Sequence, residues 1–266
     1  MFIFILKWGM FGAALATSLG YIVGAVMILA YLFHPERILH VCRVKLSKKS
    51  LYLTIRNVGY MCRLGFSSFL CETAIATMMF VGNYVFIRYL GEDGVAAYSI
   101  ACYFFPIAFM VYNAIAQSAQ PILSYNYGAK CTARVRETFR LALTTAILCG
   151  AGVFLLTWIF SHQIVGMFLD SSYPAYNIAV KGLPLFASGF VFFGINIVSI
   201  GYFQSLERDC PAMIVTLLRG FALILLCFWI LPIIWGSWGI WLAVPMSELL
   251  TFLFVLVFYW LEIRRN

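Results

Sequence analysis

Seven long apolar runs constrain this chain more than any other feature: roughly 10–33, 64–88, 97–124, 140–161, 183–204, 211–234 and 239–261. Crossing a bilayer takes ~20 apolar residues in a helix, because every backbone N–H and C=O must find its partner within the segment. Strands of a transmembrane barrel alternate apolar and polar residues over ~10 positions. These runs are continuous and longer, so a barrel is excluded. Composition agrees: 64% of the 266 residues are hydrophobic and 11% are charged, too few charges to cover a water-soluble surface. The expected fold is an all-α polytopic membrane protein with about seven transmembrane helices. Residues 1–7 (MFIFILK) are too short for a cleavable signal and lack its basic start.

The net charge of +8 raises the question of nucleic acid, and its placement answers it. Alternating the loops puts Arg37, Arg43, Lys45, Lys48, Lys49, Arg56, Arg63, Lys130, Arg134, Arg136, Arg140, Arg208, Arg264 and Arg265 on one side. Lys7, Arg88 and Lys181 fall on the other, and Arg219 lies inside a span. By the positive-inside rule the first side is cytoplasmic, with the C-terminus. The basic excess is therefore a topology signal, and the expected location is the plasma (cell inner) membrane, with lipid rather than nucleic acid as partner. Eight scattered cysteines with no C-x-x-C read as small buried hydrophobes. His34, His40 and His162 are separate loop residues, so no metal site is expected, and no P-loop sequence is present.

A phrase recurs at the two ends. Trp8-Gly9-Met10-Phe11-Gly12-Ala13-Ala14-Leu15-Ala16 and Trp235-Gly236-Ser237-Trp238-Gly239-Ile240-Trp241-Leu242-Ala243 share the frame W-G-x-x-G-x-x-L-A. The copies open the first and seventh runs, which cross in the same direction. That describes parallel halves related by an axis along the membrane normal, a transporter plan. Residues 2–7 align with 229–234 and read as the end of an earlier helix. The expectation is the C-terminal portion of a roughly twelve-span protein. Its divisions are 1–33, ending an N-terminal lobe otherwise missing; 34–63, a basic cytoplasmic linker; and 64–266, a six-helix lobe.

The run Gln117-Ser118-Ala119-Gln120-Pro121-Ile122-Leu123-Ser124-Tyr125-Asn126-Tyr127-Gly128-Ala129-Lys130 closes the third apolar run and enters a basic loop. It resembles the phrase Q-P-[IL]-[IL]-S-Y-N-Y-G-A of the multidrug and toxic compound extrusion (MATE) family. GEDGVAAYSI (91–100) resembles the loop and helix start before that phrase, and YFQSLERDCPA (202–212) the turn between the tenth and eleventh helices. LLRG (217–220) and ILPIIWGSWGIWLAVPMSE (230–248) resemble the last two. The resemblance maps the chain as helix six plus helices seven to twelve. It implies a secondary antiporter, not an enzyme, with no covalent cofactor. Such a protein exports organic, often cationic, drugs, toxins or metabolites in exchange for Na⁺ or H⁺, and here would need its missing N-terminal lobe. A lipid-linked saccharide flippase of related fold and a non-functional gene fragment stand as alternatives.

Glu72 lies about nine residues into the second run, on the order of 13 Å from the span's end. A carboxylate at that depth is costly unless neutral, paired or hydrated, so it marks either function or a structural bond. It can bind Na⁺ with Thr73 and Thr77, or carry a proton, and the resemblance matches it to an acidic residue of the family's seventh helix. Some members add an Asp in the tenth helix. Here that run offers only Asn196 and Gln204, both placed among cleft candidates. Asn113, Gln117, Gln120 and Ser124 fall at i, i+4, i+7 and i+11, one helical face. Such a stripe either lines a cleft or bonds between helices. Pro106 and Pro121 are expected to interrupt that helix. Arg219 and Glu248 lie in adjacent spans at similar depth and are expected to form a structural ion pair. Trp8, Trp158, Trp235, Trp238, Trp241 and Trp260 read as an interfacial belt. Gly9, Gly12, Gly236 and Gly239 read as sites of close helix approach.

Overall fold

The computed structural model describes residues 8–33 and 47–265. Residues 2–7 and the stretch 34–46 of the expected linker lie outside them. Among the described residues there are eight helices and one π-helical turn: α1 (Gly9–Leu32), α2 (Lys48–Gly128), α3 (Thr132–Ile159), α4 (Ser161–Gly166), α5 (Pro174–Ala187), α6 (Phe190–Ser205), α7 (Asp209–Leu217), the π turn Leu218–Ala222, and α8 (Leu223–Arg265). The chain divides into two compact units, Met1–Val58 and Gly59–Asn266. Residues 48–63, expected as linker, are helical.

The protein is an all-α, multi-pass membrane protein. Four helical stretches among the described residues are long and apolar enough to span: Gly9–Leu32, Ser68–Gly128, Thr132–Ile159 and Asp209–Trp260. A fifth arises when α5 and α6, bent by 40° at their junction, count as one. The second and fourth run to 61 and 52 residues, far beyond what one crossing takes. Each contains one break. Gly91 has φ 67°, ψ −158° in α2, and Gly236 has φ 56°, ψ −132° in α8. Those angles belong essentially to glycine, because a side chain there meets its own backbone.

Four expectations change. The loop expected ahead of the helix start in 91–100 shrinks to Gly91: the helix resumes directly after it, with Glu92 and Asp93 at its start. Acidic residues suit that position because the first N–H groups of a helix carry partial positive charge. Pro106 and Pro121 do not interrupt α2, whose break is at Gly91 instead. The run 183–204 is the inner part of a longer element that begins at Pro174, where a proline at the first helical position loses no intrahelical bond. Gly9 and Gly236, the second residue of each repeat copy, both have positive φ (52° and 56°), and a Cβ at either would touch nothing. Their role is backbone conformation rather than close packing. Gly239 does serve close approach, since a Cβ there would strike the carbonyl of Leu231.

The second unit is built around aromatic rings. Phe86 stacks on Tyr98 at 4.3 Å and meets Trp241 edge-on at 4.8 Å. Trp241 is thus a core residue and leaves the expected belt, whose Trp158, Trp235, Trp238 and Trp260 are exposed. Further along, Phe105 stacks on Phe193 at 4.6 Å, and Tyr112 meets Phe193 edge-on at 5.4 Å. These contacts clamp the second half of α2 against α6. The Ser124 hydroxyl donates to the Ser205 carbonyl at 3.2 Å, tying the ends of α2 and α6 together. Lys130, Arg134, Arg136, Arg140 and Arg208 follow at that end. At the opposite end Leu90, Lys181, Ser237 and Trp238 line one cavity, and Trp158, Ser161, Lys181 and Trp238 another.

Candidate functional site

A cavity of ≈ 270 Å³ opens between the two halves of α2 and α6. Its polar lining is Ser68 and Glu72 from the first half of α2, Asn113, Gln117 and Gln120 from the second half, and Gln204 from α6. Helical spacing explains the grouping. Ser68 and Glu72 are i and i+4, and Asn113, Gln117 and Gln120 are i, i+4 and i+7. Phe69, Cys71, Phe109, Ile197 and Ile200 supply the apolar part. Among the described residues the lining carries one charge, Glu72.

The amides form a chain. Gln120 Nε2 donates to Gln204 Oε1 at 3.1 Å, and Gln204 Nε2 donates to Ser68 Oγ at 3.5 Å, so three helical segments meet through two side-chain amides. A neighbouring cavity of ≈ 280 Å³ shares Ser68, Gln120 and Gln204 and continues past Ser124 and Ser205, toward the basic end. Glu72 and Gln117 are exposed and Asn113 is half-buried, so these groups face open space. The arrangement can hold a solute with one positive charge against Glu72 and hydrogen-bonding groups against neutral amides, with Phe109 as an apolar face.

Not every expected residue reaches this space. The Thr73 hydroxyl donates to the Phe69 carbonyl at 2.9 Å and that of Thr77 to the Thr73 carbonyl at 3.0 Å. Neither lines the cavity. Asn196 is also elsewhere. It is fully buried, and its Nδ2 donates to the Glu248 backbone carbonyl at 2.9 Å and to Oε2 at 2.8 Å. A residue that the sequence groups with the cleft is thus a brace for an acid of α8. Arg219 Nε donates to the other carboxylate oxygen, Oε1, at 2.8 Å, and its guanidinium lies 4.5 Å from the centre of the Phe193 ring. Arg219 sits in the π turn, an irregularity that re-aims a side chain by widening one turn of helix. Of the phenylalanines near the cleft, Phe109 lines the cavity, whereas Phe105 is in the core. Sequence reasoning passes over Ser68 and Cys71. Ser68 precedes Glu72 by one turn on the same face, and that spacing is the signal that finds it.

Among the described residues no group of His, Cys, Asp or Glu is placed to hold a metal ion, and the seven described cysteines are free.

Fold and site together define a multi-pass helical membrane protein with a polar interhelical cleft. The MatE family model matches residues 68–229, and the chain belongs to that family, a family of transporters. It is similar to the multidrug export protein MepA of Staphylococcus saprophyticus subsp. saprophyticus, with 20% identity over 217 residues, 82% of this chain and 46% of that protein. It is also similar to the probable multidrug resistance protein NorM of Rhizobium meliloti, with 26% identity over 243 residues, 88% of this chain and 50% of that protein. The chain thus spans about half the length of these relatives. Among solved structures, an outward-facing multidrug resistance MATE transporter of the MOP superfamily gives a TM-score of 0.85 at 20% identity, covering 99% of this chain and 58% of that one. A MOP superfamily transporter from Pyrococcus furiosus gives 0.83 at 20% identity, covering 99% and 58%.

Proposed function

We propose that this chain forms the C-terminal six-helix lobe, residues 64–266, and the preceding helix of a secondary antiporter. In this reading the long helices each cross the membrane twice, turning at Gly91 and Gly236, and α5 with α6 crosses once. Seven spans result, and residues 34–63 link the lobes. The basic end faces the cytoplasm of a plasma membrane, with the C-terminus on the same side. The cleft meets a matching wall from an N-terminal lobe, and the exported solute is an organic cation. The coupling ion, Na⁺ or H⁺, exchanges at Glu72, which biases the lobes toward one state by binding that state more tightly. Asn113, Gln117, Gln120, Ser124 and Gln204 orient the solute. Arg219 and Glu248 hold the lobe together.

The observation that carries this reading is the single charge in the cleft. Glu72 stands among neutral amides, on a surface that must otherwise face lipid or protein. A lipid-linked saccharide brings phosphates and calls for cations in the wall, and the described lining has none. The test is efflux of a fluorescent organic cation from cells carrying the full-length protein. Glu72→Gln is expected to abolish ion-driven efflux while expression and membrane insertion stay normal. Unchanged efflux by that variant rules out the assignment of Glu72.

A further inference from the structure

Below the floor of the cleft the two halves of α2 meet the π turn and α8 around a much smaller space. Ala74 and Met78 lie one and two turns on from Cys71 and Glu72, and Phe105 lies one turn from Phe109. With Gly220, Arg219 and Glu248 they surround a cavity of ≈ 10 Å³. That is about the least space that can hold one water. The π turn packs closely on α2 here, since a Cβ on Gly220 would collide with Ala74.

The polar wall of this cavity is incomplete. Arg219 gives its Nε to Glu248, but Nη1 is buried and has no partner among the described residues. Two more unpartnered atoms belong to the same group of packed side chains: Asn196 Oδ1 beside Glu248, and the Tyr112 hydroxyl, whose ring shares Phe193 with Arg219. Arg219, Asn196 and Tyr112 are 4%, 0% and 1% exposed, so bulk solvent does not reach them. Buried donors without partners are rare in folded proteins, and those found generally bind ordered water. An ion is the poorer occupant. The pair is already neutral, Arg219 repels a cation and Glu248 repels an anion.

We propose that this cavity binds one ordered water, which accepts a hydrogen bond from Arg219 Nη1 and donates one to the Glu248 carboxylate. The site lies one helical turn beneath the cleft and is independent of the transport reading. Its occupant completes the donor set of the ion pair and bridges the π turn to α8.

X-ray-driven hydroxyl-radical footprinting of the full-length protein in lipid tests this, because radicals form from bound water and oxidise the side chains that touch it. Phe105 at 2% and Phe203 at 1% exposure are chemically identical and equally buried, but only Phe105 lines the cavity. Phe105 is expected to oxidise several-fold faster than Phe203. Equal slow rates would overturn the proposal. In the paired variant Arg219→Met with Glu248→Leu, Phe105 oxidation is expected to be lost while Phe203 is unchanged. Persistence of Phe105 oxidation there would also overturn it, since the water would not be held by the pair. Were that variant unable to fold, the wild-type comparison alone decides.

Discussion

Arg219 and Glu248 are the residues whose energetics the geometry fixes most tightly. Both are almost wholly buried, the carboxylate receives one donor on each oxygen, and the guanidinium rests on an aromatic face. Removing one partner leaves the other charge stranded, at a cost of about 3–5 kcal/mol, whereas replacing both with apolar residues of similar volume is close to neutral. Arg219→Met and Glu248→Leu are each expected to lower the unfolding midpoint in detergent sharply, and the double variant to recover most of the loss. Additive losses in that double-mutant cycle would mean the two side chains act separately. Gln120 and Gln204 stand at the other extreme. The hydrogen bond between their amides borders open space, so Gln120→Ala is expected to change stability by only about 0.5–1.5 kcal/mol and to act mainly on solute selectivity, read as efflux rates across a set of organic cations.

The elements turn on two glycines. Gly91 and Gly236 adopt angles that cost any other residue roughly 1–3 kcal/mol, and neither has a neighbour that a methyl group would strike. Gly91→Ala and Gly236→Ala are therefore expected to destabilise through the backbone alone, measured by thermal unfolding. Gly152→Ala provides the contrast: Gly152 is helical within α3 with open space around it, and alanine there is expected to be neutral or stabilising by up to about 1 kcal/mol. The long apolar parts of the helices are legible in the apolar runs, because lipid leaves a continuous apolar segment no other way to pair its backbone, whereas the helical stretch 48–63 is not. Their joints are less legible. Gly91 followed by Glu92 and Asp93 carries a stop and a start, but the family resemblance marks only a loop and a helix start there and does not show that the loop is a single residue. Tyr173-Pro174 marks the start of α5, but its helix is too polar at that end to count as an apolar run. Within the cleft, Asn113, Gln117 and Gln120 are legible because one helix places them by period. The bond from Asn196 to Glu248 is not, because it joins residues 52 positions apart whose pairing depends on how α6 packs against α8.

At the scale of the molecule the charges are sorted by end. Lys130, Arg134, Arg136, Arg140 and Arg208 gather where α2, α3, α6 and α7 meet, and Cys131 and Cys210 are exposed there. In the proposed orientation a membrane-impermeant maleimide added to intact cells leaves both thiols unlabelled and labels them after permeabilisation. A cysteine placed at Ser171, in the segment between α4 and α5, is expected to react from outside in intact cells. Labelling of Cys131 from outside would invert the topology. The MatE match covers residues 68–229, but a solute is chosen by side chains, and in the proposed reading half of the cleft wall comes from the N-terminal lobe.

In the proposed reading, where the chain turns back across the membrane at Gly91 and Gly236, these two breaks also bear on how it is made. A helix pair joined by one glycine leaves no segment that can be carried through the membrane by itself. The second helix must therefore enter while the first is still beside it, and the two insert as a closed hairpin. An insertion of hydrophilic residues at Gly91, even one that strains nothing in the finished fold, is expected to separate those two events during synthesis.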